Sequence, residues 1–440
     1  MDTSFNLIVK EATVMKNKSV LICCILLLCL CISSLSSCAF IDLNTKATAD
    51  TVTREELQAA LKDASLSGAT VIGGNTYEIT VNRSGGDSII AASKSLLSVA
   101  SVVCGFEKNV YYWGGGKTTQ SYSSAGAGVI FRLDKEHGDA YVLTNYHVVY
   151  DASSNTQNHI SNSINLYLYG QESSKYAIPA SYVGGSMSYD LAVLKISGSA
   201  VLAESSAVAA TFADSNDVSV LQTAIAVGNP EARGISITVG SVNVDSEYIT
   251  LTGADERTTV SLRVMRIDAA VNSGNSGGGL FDANGDLIGI VNAKMSSDSV
   301  DNIGYAIPSN IAKYIAQNII DYCDGKDNES VYRCMIGITV AAAESKTVYD
   351  EETCKVHKIE TVVVDSITEG SISDGNLMVG DVIRSVEIDG TEYEVNRMYN
   401  VIDSMLNVRV GSEVVFRVVR GGEEINVPIE ITEKALTPQV

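Results

Sequence analysis

Between residues 99 and 310 the apolar positions gather in short runs parted by Gly, Ser, Asn and Asp, among them Gly128-Val-Ile-Phe131, Ala140-Tyr-Val-Leu143, Ile164-Asn-Leu-Tyr-Leu168, Leu191-Ala-Val-Leu194 and Thr223-Ala-Ile-Ala-Val227. Runs of that length, bounded by turn formers, predict strands. Many of them at close spacing, with hardly a helix between, predict antiparallel barrels or sandwiches. From Ser309 the pattern becomes helical through Ile320, and the charged stretch Asp324-Gly-Lys-Asp-Asn-Glu329 reads as a linker. Residues 330–434 form a second β-rich unit with one helix near Val401 to Leu406. Upstream, Thr53-Arg-Glu-Glu56 opens a short amphipathic helix as a capping box does, with Leu57, Ala60 and Leu61 on one face, and a second helical patch runs from Ser88 to Leu97. Gly114 to Ser124 is rich in Gly and Ser and is expected to be a flexible loop; its Gly-Lys-Thr run lacks the strand-loop-helix frame of a phosphate loop.

One apolar run is of another kind. Ser19 to Ile32 is almost unbroken, follows Lys16 and Lys18 and leads into small residues, the layout of an export signal. Its exit, Leu35-Ser36-Ser37-Cys38, resembles the lipobox of bacterial lipoproteins, in which the cysteine thiol is acylated. An uncleaved signal anchor is the alternative, since the run nearly reaches bilayer length. Residues 1–38 are therefore read as signal peptide or anchor and 39–94 as tether with short helices. Either way one end of the chain is held at the outer face of a membrane.

Composition narrows the picture further. The 440 residues are 45% hydrophobic and 19% charged, values of a folded chain long enough for two or three domains. A net charge of -21 without a basic patch argues against nucleic acid as a partner. Five of the nine cysteines crowd the signal, leaving Cys104, Cys323, Cys334 and Cys354 for the body of the protein. Cys323 and Cys334 are near in sequence, but buried free thiols fit equally well, and no pairing follows.

Only four histidines are present, and His147 ends the apolar strand Leu143-Thr-Asn-Tyr-His147. Asp190 stands just before the buried-looking strand Leu191 to Leu194, and Ser276 lies inside the glycine-rich turn Asn272-Ser-Gly-Asn-Ser276-Gly-Gly-Gly279. A serine hydroxyl attacks a carbonyl only when a neutral imidazole takes its proton. A carboxylate must fix that imidazole's tautomer, and N–H donors must await the oxyanion. No His/Cys cluster has metal-ligand spacing, so neither a metal nor an organic cofactor is expected.

Together with Ala226-Val-Gly-Asn-Pro230, Asp268 to Gly278 and Ile303-Gly-Tyr-Ala-Ile-Pro308, these motifs resemble the HtrA/Deg family of trypsin-like serine proteases. The resemblance implies a mainly β protein: a chymotrypsin-like double β-barrel over about 95–322, followed by a PDZ domain. It implies His147 as general base, Asp190 as orienting carboxylate, Ser276 as nucleophile, and an oxyanion hole at Gly274, Asn275 and Ser276. Asn292 and Ala293, on the strand from Ile288, would line the specificity pocket, where the lack of an acid argues for small or medium aliphatic side chains. Unfolded envelope proteins are the implied substrates and a homotrimer the implied assembly. The family usually has proline where this chain has Ser273 and Gly279, changes expected to loosen the nucleophile turn. Glu231 to Gly240 follows the family's sensor loop.

Residues 331–434 resemble a single PDZ domain through Tyr332 to Ile338, Gly380-Asp-Val-Ile383, Ile388-Asp-Gly390 and Gly411 to Phe416. Met335, Ile336, Gly337 and Ile338 would then offer backbone N–H groups to the carboxylate of a C-terminal peptide. The plain alternative is that Met335 and Ile338 are core residues of a spacer. A chaperone or peptide-binding scaffold without proteolysis is the competing function.

Overall fold

The computed structural model describes residues 93–112, 115–230, 234–293, 303–326, 331–351 and 355–439. The signal with Cys38, nearly all of the tether, Cys354 and the start of the Glu231 segment lie outside the described residues.

Strands β1 (Val99–Tyr111), β2 (Lys117–Asp134), β3 (Asp139–Thr144), β4 (Ser163–Leu168), β5 (Ile178–Ser186) and β6 (Leu191–Ile196) close into an antiparallel barrel in the order β1-β2-β3-β6-β5-β4. A second barrel closes from β7 (Thr223–Gly228), β8 (Ser236–Thr252), β9 (Thr259–Ile267), β10 (Gly279–Phe281), β11 (Leu287–Asn292) and β12 (Gly304–Pro308), in the order β10-β11-β12-β9-β8-β7. The apolar run of β6 is unbroken because both its faces are covered. Ala192, Leu194 and Ile196 fill the first barrel, while Leu191 and Val193 turn to a second core shared with the other barrel. Two short helices that periodicity did not announce, α1 (Tyr146–Val149) and α2 (Ala200–Glu204), follow β3 and β6.

The segment expected to be a flexible loop is in part a strand. Lys117 to Ser124 forms the first half of β2 and pairs residue for residue with Cys104 to Tyr111 of β1. This end of the ribbon is mostly exposed, so no apolar alternation marked it as a strand.

Helix α3 (Ser309–Cys323) buries Ile311, Ile315, Ile319 and Cys323 at four-residue spacing, with Ala312 and Ala316 between them. It ends where Gly325 takes a left-handed φ of 68°. Asp324, expected in a linker, is anchored: its carboxylate takes hydrogen bonds from Tyr141 Oη at 2.5 Å and Lys195 Nζ at 2.9 Å.

The C-terminal unit pairs β13 (Val331–Cys334) with β20 (Leu436–Gln439). Its larger sheet runs β14 (Ile338–Asp350), β15 (Lys355–Ile367), β16 (Val382–Ile388), β18 (Glu413–Arg420) and β19 (Glu423–Glu430), with β17 (Thr391–Glu394) against β16. Helix α4 (Met398–Ser404) lies where one helix was expected, starting slightly earlier. Phe416 is fully buried in this unit's own core, a burial that contributes about 1.5–3 kcal/mol. The unit also joins the barrels, because Val331 and Leu406 belong to the core cluster that contains α3.

Cys104 and Cys334 are free and buried, and Cys323 is buried as well. Burial pushes the thiols of Cys104 and Cys334 up to about 12, so both stay protonated and inert. Among the described residues no helix is long and apolar enough to cross a membrane.

Candidate active site

His147 sits on α1, the single turn that follows β3, and Asp190 ends the turn before β6. Since β3 and β6 are paired neighbours, residues far apart in sequence meet here. Asp190 Oδ2 lies 2.7 Å from His147 Nδ1, and its Oδ1 accepts the His147 main-chain N–H at 3.0 Å. The imidazole is thus gripped at ring and backbone. Its Nδ1 is held as the donor, which leaves Nε2 as the acceptor.

Ser276 comes from the other barrel, in the turn before β10. Its carbonyl accepts Ala127 N–H from β2 at 2.8 Å, which ties the turn to the first barrel. Gly277 follows with φ 82°, and a Cβ there would lie 2.2 Å from Ala127 O and 2.3 Å from Thr144 Oγ1. Only glycine fits so close an approach. Asn275 N–H donates to Asn272 O at 3.0 Å and closes the turn. Among the described residues, the N–H groups of Gly274 and Ser276 have no protein acceptor, so both are available to an oxyanion. Ser276 Oγ accepts the Ala293 N–H at 3.2 Å, and no hydrogen bond joins it to the His147 ring.

Asn292 departs from expectation. It has no exposed surface with which to line an open pocket; instead its Nδ2 donates to Asp190 Oδ2 at 2.6 Å. Ala293 lies beside Ser276, through that main-chain bond. Three further asparagines were given no role in the sequence, although Asn145 and Asn229 stand inside the motifs that carry the resemblance. Asn145 Nδ2 donates to Asp190 O at 2.8 Å. Asn229 N–H donates to Gly274 O at 3.2 Å, and its own Oδ1 accepts Gly234 N–H at 2.9 Å. Asn318 belongs to the joint with the C-terminal unit.

Gly279 does not loosen the turn. A Cβ at this position would meet the Phe281 ring at 2.3 Å, so Phe281, itself fully buried, fills the space that a larger residue would take.

Residues 126–290 match the family model described as a trypsin-like peptidase domain. The chain is 32% identical over 319 residues to the serine protease Do-like HtrA of Bacillus subtilis, covering 71% of this chain and 64% of the relative. It is 36% identical over 274 residues to the serine protease Do-like HtrA of Lactococcus lactis, covering 60% of each. The barrels thus match a trypsin-like peptidase domain, and the chain is similar to serine proteases of the HtrA type. A solved structure, the HtrA-type protease AlgW with decapeptide, aligns at 25% identity over 80% of this chain and 98% of its own, with a TM-score of 0.47. The chain thus spans less than two thirds of the length of those two curated relatives.

Outside the protease domain, the Met335 to Ile338 segment divides in two. Met335 is half exposed, but its N–H is already bonded to Ala435 O at 2.7 Å. Ile336 is buried in the unit's core, and Ser373 Oγ donates to its carbonyl at 2.7 Å. Among the described residues, the N–H groups of Ile336 and Gly337 have no acceptor. Gly337 adopts φ 83°, and a Cβ on it would lie 2.2 Å from Ser371 Cβ.

Proposed function

We propose that this protein is a membrane-tethered serine endopeptidase of the HtrA type that cleaves unfolded or misassembled envelope proteins through an acyl-enzyme. One observation carries the reading. A histidine whose Nδ1 is held by a buried carboxylate shares the barrel junction with a serine that is flanked by two uncommitted N–H groups. With Nδ1 occupied, Nε2 takes the Ser276 proton as Oγ leaves the Ala293 N–H and attacks the scissile carbonyl. The oxyanion is met by the Gly274 and Ser276 N–H groups, with Asn275 holding the turn between them. The imidazolium formed is stabilised by Asp190 and returns its proton to the leaving amine; water then repeats the sequence on the acyl-enzyme.

The C-terminal unit is read as a PDZ domain that takes C-terminal peptides at Ile336 and Gly337. The tether is read as a lipid on Cys38 or a signal anchor, at the outer face of the cytoplasmic membrane, and the assembly as a homotrimer. The deciding experiment compares purified wild type with Ser276→Ala on denatured casein. Wild type is expected to degrade it and the variant to leave it intact. Equal cleavage by both, or none by either, defeats the protease reading and leaves the scaffold.

A further inference from the structure

Asp190 holds its carboxylate in place from an unusual backbone. Its φ is 48°, in the left-handed region that a residue with a Cβ enters at a cost. The turn is closed on one side by its own N–H, which donates to Met187 O at 3.2 Å. On the other side its carbonyl is met by the Asn145 amide, with Nδ2 at 2.8 Å.

Asn145 occupies the N-cap position of α1, where asparagine ordinarily accepts a hydrogen bond from the first turn. Here it makes no such bond. Its Oδ1 is buried with no hydrogen-bond partner among the described residues, and the residue has no exposed surface. Capping therefore does not explain the side chain. Among the described residues, the one hydrogen bond the amide makes is the one it donates to Asp190. We propose that Asn145 is a positioning residue of the triad. It holds the Asp190 main chain in the left-handed turn from which Oδ1 and Oδ2 reach the His147 N–H and Nδ1. Asn145 touches neither substrate nor the reacting atoms; it acts through Asp190. The inference rests on the protease reading above.

The test uses the full chain and a peptide substrate, with kcat expressed per Ser276 titrated by a fluorophosphonate. Asn145→Leu keeps the branched outline, at a larger volume, and removes both the donor and the stranded acceptor. Asn145→Ser keeps a good cap but is too short to reach Asp190. Both are expected to lower kcat on the order of 10²-fold, as a misplaced catalytic group does, with KM little changed. In an Asp190→Asn background, Asn145→Leu should add little further loss. Full kcat in Asn145→Ser, or losses that multiply in the double variant, would overturn the assignment. Wild type no better than Ser276→Ala would instead strike the protease reading and take the inference with it. Should Asn145→Leu fail to fold, Asn145→Ser alone decides.

Discussion

Asn318 on α3 uses both ends of its amide on the main chain of Tyr332: Oδ1 accepts the Tyr332 N–H at 3.0 Å, and Nδ2 donates to the Tyr332 carbonyl at 2.7 Å. Helix α3 thereby mimics a strand partner for β13, through a fully buried Asn318. Asn318→Ala strands both Tyr332 groups. The variant should lose about 0.5–1.5 kcal/mol for each of these two part-buried hydrogen bonds. Urea melts of the two proteins check this, and coincident curves would refute it.

The space beside Gly279 is taken by Phe281, so the two positions are coupled. Gly279→Ala drives a methyl into the ring and should destabilise by about 1–3 kcal/mol, whereas Phe281→Leu in that background should recover part of the loss. Thermal melts of the four proteins give the coupling. An unaltered Tm for Gly279→Ala would show that the turn has slack after all.

Arg263 of β9 and Asp403 of α4 form a buried ion pair between the second barrel and the C-terminal unit, and the Arg263 guanidinium lies 4.0 Å from the Tyr399 ring centroid. Burial pushes the Asp403 carboxyl up, against the pull of Arg263. Removing either partner alone leaves a buried group uncompensated and should cost about 3–5 kcal/mol. Replacing both by methionine should restore most of that. Denaturant melts of the single and double variants decide it; simply additive losses would mean that the pair does not act as a unit.

Asp381 supplies a pH dependence. Burial alone would raise its carboxyl, but hydrogen bonds from Arg420 Nε and Nη2, both at 2.7 Å, and from Met378 N–H hold it below the ordinary 3.8. A carboxyl lowered on folding stabilises above its unfolded value and loses that contribution as pH falls through the folded one. The Tm gap between wild type and Asp381→Asn should therefore be full at pH 7 and shrink below the unfolded value of 3.8. A gap constant across that range would remove the linkage.

If the C-terminal unit takes peptide carboxylates, a short peptide with an apolar last residue should bind and its amidated twin should not. Gly337→Val should abolish binding, since the left-handed φ of 83° and Ser371 both exclude a Cβ branch. Fluorescence anisotropy measures both, and equal binding of the amidated peptide would sink the idea.

Legibility in the sequence followed the range of the interaction. The runs of β2, β3, β4, β6 and β7 and the α3 stripe stand out because each rests on a local pattern, short apolar runs between turn formers in the strands and four-residue spacing in the helix. The polar half of β2 and the single turn of α1 were missed, since an exposed ribbon needs no apolar alternation and one turn of helix has no period. Asp324 was taken for a linker because its charge is visible in the sequence and its partners, Tyr141 and Lys195, are not. Asn292 was assigned to a pocket by the family resemblance, from its place at the end of the Ile288 strand. Which way its amide points is decided by Asp190, 102 residues away.

By itself the chain determined a run of short strands in barrels or sandwiches and residue types suited to acyl transfer, because apolar runs, turn chemistry and the neighbours of His147, Asp190 and Ser276 are all local; the double barrel came only from the family resemblance. Only closure of the two barrels decided how that chemistry is held. It placed the Asn292 amide on the Asp190 carboxylate, the Asn145 amide behind the left-handed Asp190 main chain, and the Phe281 ring in the room that glycine left at position 279. Hydrogen bonds and packing between distant segments have no signature along the chain, since each depends on a distance that exists only after the strands have paired.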